Sequence, residues 1–195
     1  MSRVVSVVSA VAGLWLVSTA VLAADDDEAA YTRVITERAE RIVATLGIDD
    51  AAKATRVRDL IAGQYRGLRD IHDSRDENAE RAELEQFALH RRFVARLEAE
   101  LTPEQFDQVK DGMTYGVVPI TYRRYLELLP DLTDDQKAAI LANLLEAREY
   151  AMDAGSSEEK HGWFRKYKGR INNYVSSAGY DMKQAEQDWA ARRRN

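Results

Sequence analysis

No cysteine occurs anywhere in the 195 residues. That excludes a disulfide framework, a thiol nucleophile, thiolate metal sites and a lipidated N-terminal cysteine. Burial alone must then hold the fold together. Proline is scarce, with three in the chain, so little interrupts a helix. No segment alternates apolar and polar residues for long enough to build a sheet. Basic residues are not concentrated either: 28 Lys and Arg stand against 33 Asp and Glu, for a net charge of −5. Nucleic acid and anionic membrane both require a dense basic surface and are excluded as partners. The one basic cluster, Arg192 to Arg194, suits the negative end of a terminal helix dipole.

What is present begins with a leader. Arg3 precedes the apolar run "VVSVVSAVAGLWLVSTAVL" from Val4 to Leu22, then Ala23, Ala24 and the acidic "DDDE". A short positive segment, an apolar stretch and small residues at Val21 and Ala23 predict a secretory signal peptide over residues 1–23. Its hydroxyl residues Ser6, Ser9, Ser18 and Thr19 argue against a retained anchor. A single all-α domain is expected over 24–195, with its core in 30–189, exported to the periplasm or the medium.

Helical periodicity fills the remainder. Ala30, Tyr31, Val34, Ile35, Ala39, Ile42, Val43 and Leu46 form an apolar stripe, and Ala54, Val57, Leu60, Ile61, Tyr65, Leu68 and Ile71 form a second. Leu84, Phe87, Ala88, Arg91, Val94 and Leu97 predict a third. "HDSRDENAERAE", from His72 to Glu83, is too charged to bury a face. "LTPEQ" at 101–105 and "LTDDQ" at 132–136 are capping boxes, with Thr102 and Thr133 as caps and Gln105 and Gln136 reaching back. Ser156 and Glu159 offer a looser one. Gly63 with Gly67, and Gly162 with Gly169, are spaced for close approach of neighbouring helices. About seven helices packed as hairpins are predicted.

One stretch departs from this pattern. "KDGMTYGVVPITYRRYLE", Lys110 to Glu127, gathers two glycines, a proline and three tyrosines around an uncharged middle. Asp111-Gly112 predicts a helix end, Met113 to Ile120 an eight-residue apolar connection, and Thr121 the cap of a helix over 122–129. Three uses are open. Met113, Val117, Val118 and Ile120 can plug the core. Tyr115, Tyr122 and Tyr125, joined by Trp163, can wall a ligand, because flat rings with polar edges suit sugar faces. Arg123 and Arg124, with Arg165 and Lys166, would then meet a carboxylate. A protein-binding patch is the third use.

Catalytic signals are sparse. Glu158 and His161 make Glu-x-x-His, half of a di-iron signature, but neither His72 nor His90 has the matching glutamate, so no metal or other cofactor is expected. Glu146, Glu149 and Asp153 on one helix, and Asp111, are the acids that a glycoside-cleaving pair would need to draw on. No serine nucleophile motif or glycine-rich phosphate loop occurs. No catalytic residue is assigned.

The two LTxxQ boxes resemble the repeated motif of periplasmic LTxxQ stress chaperones, which bind unfolded clients on an apolar concave face. "YTRVITERAERIVATLGI", "KATRVRDLIAGQYRGLRDIH", "LTPEQFDQVKDGMTYGVVPITYRRYLELLPDLTDDQKAAI" and "EAREYAMDAGSSEEKHGWFRKYKGRINNY" together resemble a bacterial family, domain of unknown function 3826. That resemblance spans Tyr31 to about Trp189. It implies an exported helical protein found in bacteria that digest plant polysaccharides, pectin above all, and it supplies no active-site residue. The expectation is a protein that binds such fragments, or another exported protein, without transforming them. A carbohydrate-active hydrolase or lyase on the same helical scaffold is the alternative, and a chaperone the third.

Overall fold

The computed structural model describes the backbone of residues 14–75 and 78–194, and side chains from residue 27 onward. Most of the leader's features lie outside the described side chains. Eight helices, and no strand, occur among the described residues: α1 Leu14–Val43, α2 Ala51–Asp73, α3 Ala79–Glu100, α4 Pro103–Met113, α5 Val117–Leu128, α6 Asp134–Met152, α7 Ser157–Ser177 and α8 Met182–Arg192. No helix among them is long and apolar enough to cross a membrane.

Local chemistry explains the helix starts. The Thr102 and Thr133 hydroxyls accept from the amides of Gln105 and Gln136, and each glutamine oxygen accepts from its threonine's own amide. Pro103 occupies the first turn of α4, where a missing N–H leaves nothing unsatisfied. Ser156 caps α7, but Glu159 reaches one residue further back, to the amide of Gly155 at 2.8 Å.

The apolar connection is much shorter than eight residues. α4 runs through Gly112 to Met113, and α5 already begins at Val117. Pro119 is the third residue of α5, one of the four positions whose amide has no partner inside the helix, so it is tolerated there. The reversal is made by Tyr115 (φ 60°) and Gly116 (φ 65°) in the left-handed region, locked by a 2.7 Å bond from the Gly116 amide to the Asp111 carbonyl. Of the four expected plugs, Met113 and Val118 are buried, Val117 is half-buried and Ile120 lies in the open. Thr121 sits inside α5 and caps nothing.

Two apolar cores result. The first joins α1 to α4, through Ile35, Ala39, Val57, Ile61, Phe93, Leu97, Val109 and Met113. The second joins α5 to α8, through Tyr125, Ile140, Leu144, Phe164, Ile171 and Val175. Met152, the last residue of α6, packs in the first core, so α6 belongs to both. α4 lies against α1 so closely that a Cβ on Gly112 would come within 2.8 Å of Ile42. At Gly67 the same holds for Leu89 of α3, as its spacing predicted, whereas Gly63, Gly162 and Gly169 face no neighbouring helix. The stripe expected on α3 is rotated: Ala82, Phe93 and Leu97 are buried, while Leu84 and Phe87 are exposed. α3 packs chiefly on α2, with a smaller contact to α4, and Leu84 and Phe87 lie outside that packing.

Candidate functional site

A cleft of about 310 Å³ opens where the two cores meet. Arg38 and Arg41 of α1, and Thr45 in the turn that follows it, line this cleft. Tyr65 of α2, Tyr115 of the α4–α5 corner and Lys160 of α7 complete its polar lining, and Ile42, Gly112 and Met113 form the apolar part. Three cations therefore line one cleft, and no carboxylate does. Among the described residues none of the three forms an ion pair.

Lys160 is the unusual member. It is 6% exposed, and its Nζ donates to the carbonyl oxygens of Ala151 and Met152 at 3.0 and 3.1 Å. Two of three donors are thus used. Burial lowers its pKa from 10.5 to about 8, only partly offset by the nearby Asp153 and Glu159 charges. The Tyr65 hydroxyl is pushed up to about 12 by burial, so it stays a donor at any physiological pH. Tyr115 is half exposed and its ring stacks on His161, centroids 5.4 Å apart. The left-handed backbone that holds it there is costly for a residue with a side chain, by about 1–2 kcal/mol, and such departures gather at binding sites. The lining thus combines three cationic side chains, two phenol rings and an apolar floor.

The residues expected to wall a ligand are distributed. Tyr115 lines this cleft. Arg124 and Tyr125 line a second one, between α5, α7 and α8. Tyr122 and Trp163 line neither; both pack on the second core, and Trp163 stacks on Tyr150 with centroids 4.6 Å apart. Arg123 is exposed on α5, outside both clefts. Arg38, Arg41 and Lys160 went unremarked in the sequence, and Tyr65 was read only as part of the apolar stripe of α2. One signal was available for the lysine: extending the stripe Phe164, Tyr167, Ile171, Val175 one turn backward lands on Lys160.

The acidic candidates are all matched by bases. Asp111 pairs with Arg148 at 2.8 Å, Glu149 with Lys110 at 2.8 Å, Glu146 with Arg170 at 3.4 Å, and Asp153 with His90 at 2.8 Å. The Asp153 bond raises the His90 pKa, against the effect of burial. These pairs join α3, α4, α6 and α7 to one another, and none of the four carboxylates lines either cleft. No group of three or more His, Asp or Glu residues among the described residues is placed to hold a metal ion.

A comparison with the curated proteins finds no match. The family model described as "Protein of unknown function (DUF3826)" matches residues 32–88 and 77–195, which takes in every residue of both clefts. The chain belongs to that family.

Proposed function

We propose that the protein is exported and binds an acidic sugar unit of a plant-type polysaccharide, such as a galacturonate, in the cleft of Arg38, Arg41 and Lys160, and returns it unchanged. The observation that carries this reading is the set of three unpaired cations lining a cleft without a carboxylate, on a chain whose net charge is −5. A uronate carboxylate answers the guanidinium forks and the spare Lys160 donor. The Tyr115 face suits the C–H side of a pyranose ring, and the Tyr65 hydroxyl and Thr45 supply partners for its rim. The leader supports export.

Calorimetry with galacturonate and with neutral galactose tests the reading. Heat with the uronate only, lost in Arg41→Ala, and chromatography showing intact sugar are the expected results. No binding of the uronate by the full chain overturns it.

A second reading has one observation in its favour. An amine with a pKa of about 8 is suited to take a proton near neutrality, so Lys160 could act as a base for a lyase-type reaction. Product formation that disappears in Lys160→Met would favour it. Client binding of the chaperone kind would rest on Leu84 and Phe87, which are exposed on α3 and line neither cleft.

A further inference from the structure

The second cleft, of about 520 Å³, lies between α5, α7 and α8. Arg165, Lys168 and Asn172 of α7 line it, together with Arg124 and Tyr125 of α5. Arg124, Arg165 and Lys168 form no ion pair among the described residues, and one carboxylate, Glu186, stands at the cleft. Arg124 is held rigidly. Its guanidinium lies 3.3 Å from the centre of the Trp189 ring, and that ring is itself tied by a 3.1 Å bond from its Nε1 to Glu127. The Arg124 Nη1 atom is buried and has no hydrogen-bond acceptor. A buried guanidinium nitrogen without an acceptor marks a place where one is missing. The Tyr125 hydroxyl donates to Asn172 Oδ1 at 2.7 Å, which turns the Asn172 amide into a donor with its hydrogens unused.

A line of α7 side chains leads from the Tyr115–His161 stack at the edge of the first cleft to the second. His161, Arg165, Lys168 and Asn172 follow at spacings of four, three and four, a line of about 16 Å at the helical rise. His161, at its near end, carries the Tyr115 ring that lines the first cleft. Ile120, 64% exposed, extends over the Gly116 backbone beside Tyr115 and lines the second cleft. Charge at either end and apolar surface between them is the pattern of a groove for a chain whose acidic groups repeat.

We infer that the second cleft is a further anion-binding subsite, and that the groove takes a linear acidic oligosaccharide laid along α7, several units long, with one carboxylate at Lys160 and another at Arg124 and Arg165. This rests on the reading of the first cleft given above and extends it from a single acidic ring to a chain.

Gly169 provides the test. It lines the second cleft, and a Cβ built on it meets nothing within 4 Å. Gly169→Leu therefore fills the cleft from a helix position with space around it. Affinities of the full chain for galacturonate and for tri-, tetra- and pentagalacturonate are measured by calorimetry, with wild type, Gly169→Leu, Arg165→Ala and Lys160→Met. Affinity rising about tenfold or more from monomer to tetramer is expected, since the second contact becomes intramolecular. Gly169→Leu and Arg165→Ala should each erase that gain while keeping the part of monomer binding that Lys160→Met removes, with unaltered circular dichroism. A tetramer that binds no tighter than the monomer overturns the inference, as does a gain indifferent to both variants. In either case, monomer binding that is lost in Lys160→Met leaves the first cleft's reading standing. Tetramer binding that is sensitive to Gly169→Leu but indifferent to Lys160→Met overturns the chain-spanning arrangement and the first cleft's role together.

Discussion

The Lys160 ammonium reaches back across the α6–α7 turn to the carbonyl oxygen of Met152, 3.1 Å away. This ties a cation of the cleft to the one α6 residue that packs in the first core. The lysine gains two carbonyl acceptors and no counter-ion, and it sits where the apolar stripe of α7 would otherwise place an aliphatic side chain.

Stability should therefore depend on pH through this group. Its folded pKa, about 8, lies below the ordinary 10.5. Between those values the unfolded chain holds a proton that the folded chain has released, so stability rises with pH across the window. It reaches its floor below 8, where both states are charged. The whole effect is on the order of 3 kcal/mol. Urea unfolding at pH 7.5 and 9.5 should show the wild type gaining about 2 kcal/mol relative to Lys160→Met. An identical pH response in the two proteins would contradict the buried, counter-ion-free lysine.

Anion affinity should move the other way. A carboxylate in the cleft favours protonated Lys160, while Arg38 and Arg41 keep their charges throughout. Affinity for galacturonate is expected to be level up to about pH 8 and then to decline by up to about tenfold per pH unit. Lys160→Met should bind more weakly with a flat profile. Calorimetry from pH 6.5 to 9.5 measures both, and a wild-type profile without a break near 8 would remove Lys160 from the site.

Arg148 is 4% exposed and held by Asp107 and Asp111 of α4, whose side chains are 61% and 27% exposed. The two ways of breaking this cluster should differ. Asp107→Ala with Asp111→Ala strands a buried guanidinium and should cost about 3–5 kcal/mol. Arg148→Met leaves two carboxylates that water can reach and should cost about 1 kcal/mol. Equal losses in urea unfolding would mean that the arginine is better hydrated than its burial indicates.

What was legible in the sequence is what local chemistry determines. The Thr102–Gln105 and Thr133–Gln136 boxes are satisfied within four residues, and both formed as predicted. The apolar stripe of α1 is set by period alone, and Ile35, Ala39, Ile42 and Leu46 are buried as read, while Val34 on its edge is exposed. The face of α3 was read correctly at Leu97 but misjudged at Leu84 and Phe87, which fit the period yet lie outside the packing against α2 and α4. The α4–α5 corner was read as long because Pro119 and two valines argue against helix interior, whereas all three fall in a first turn. Arg38 and Arg41 looked like ordinary residues of a solvated face. Their meeting with Lys160, more than a hundred residues further on, is a tertiary event that no local pattern encodes.

Tyr115 and Gly116 turn the chain in two residues, and the amide of Gly116 is pinned to Asp111, itself clamped by Arg148. The ring that faces the cleft is thus anchored from behind by an ion pair inside the helix packing. The acidic sugar proposed above would meet a surface whose shape is already set, with little ordering left to be done on arrival.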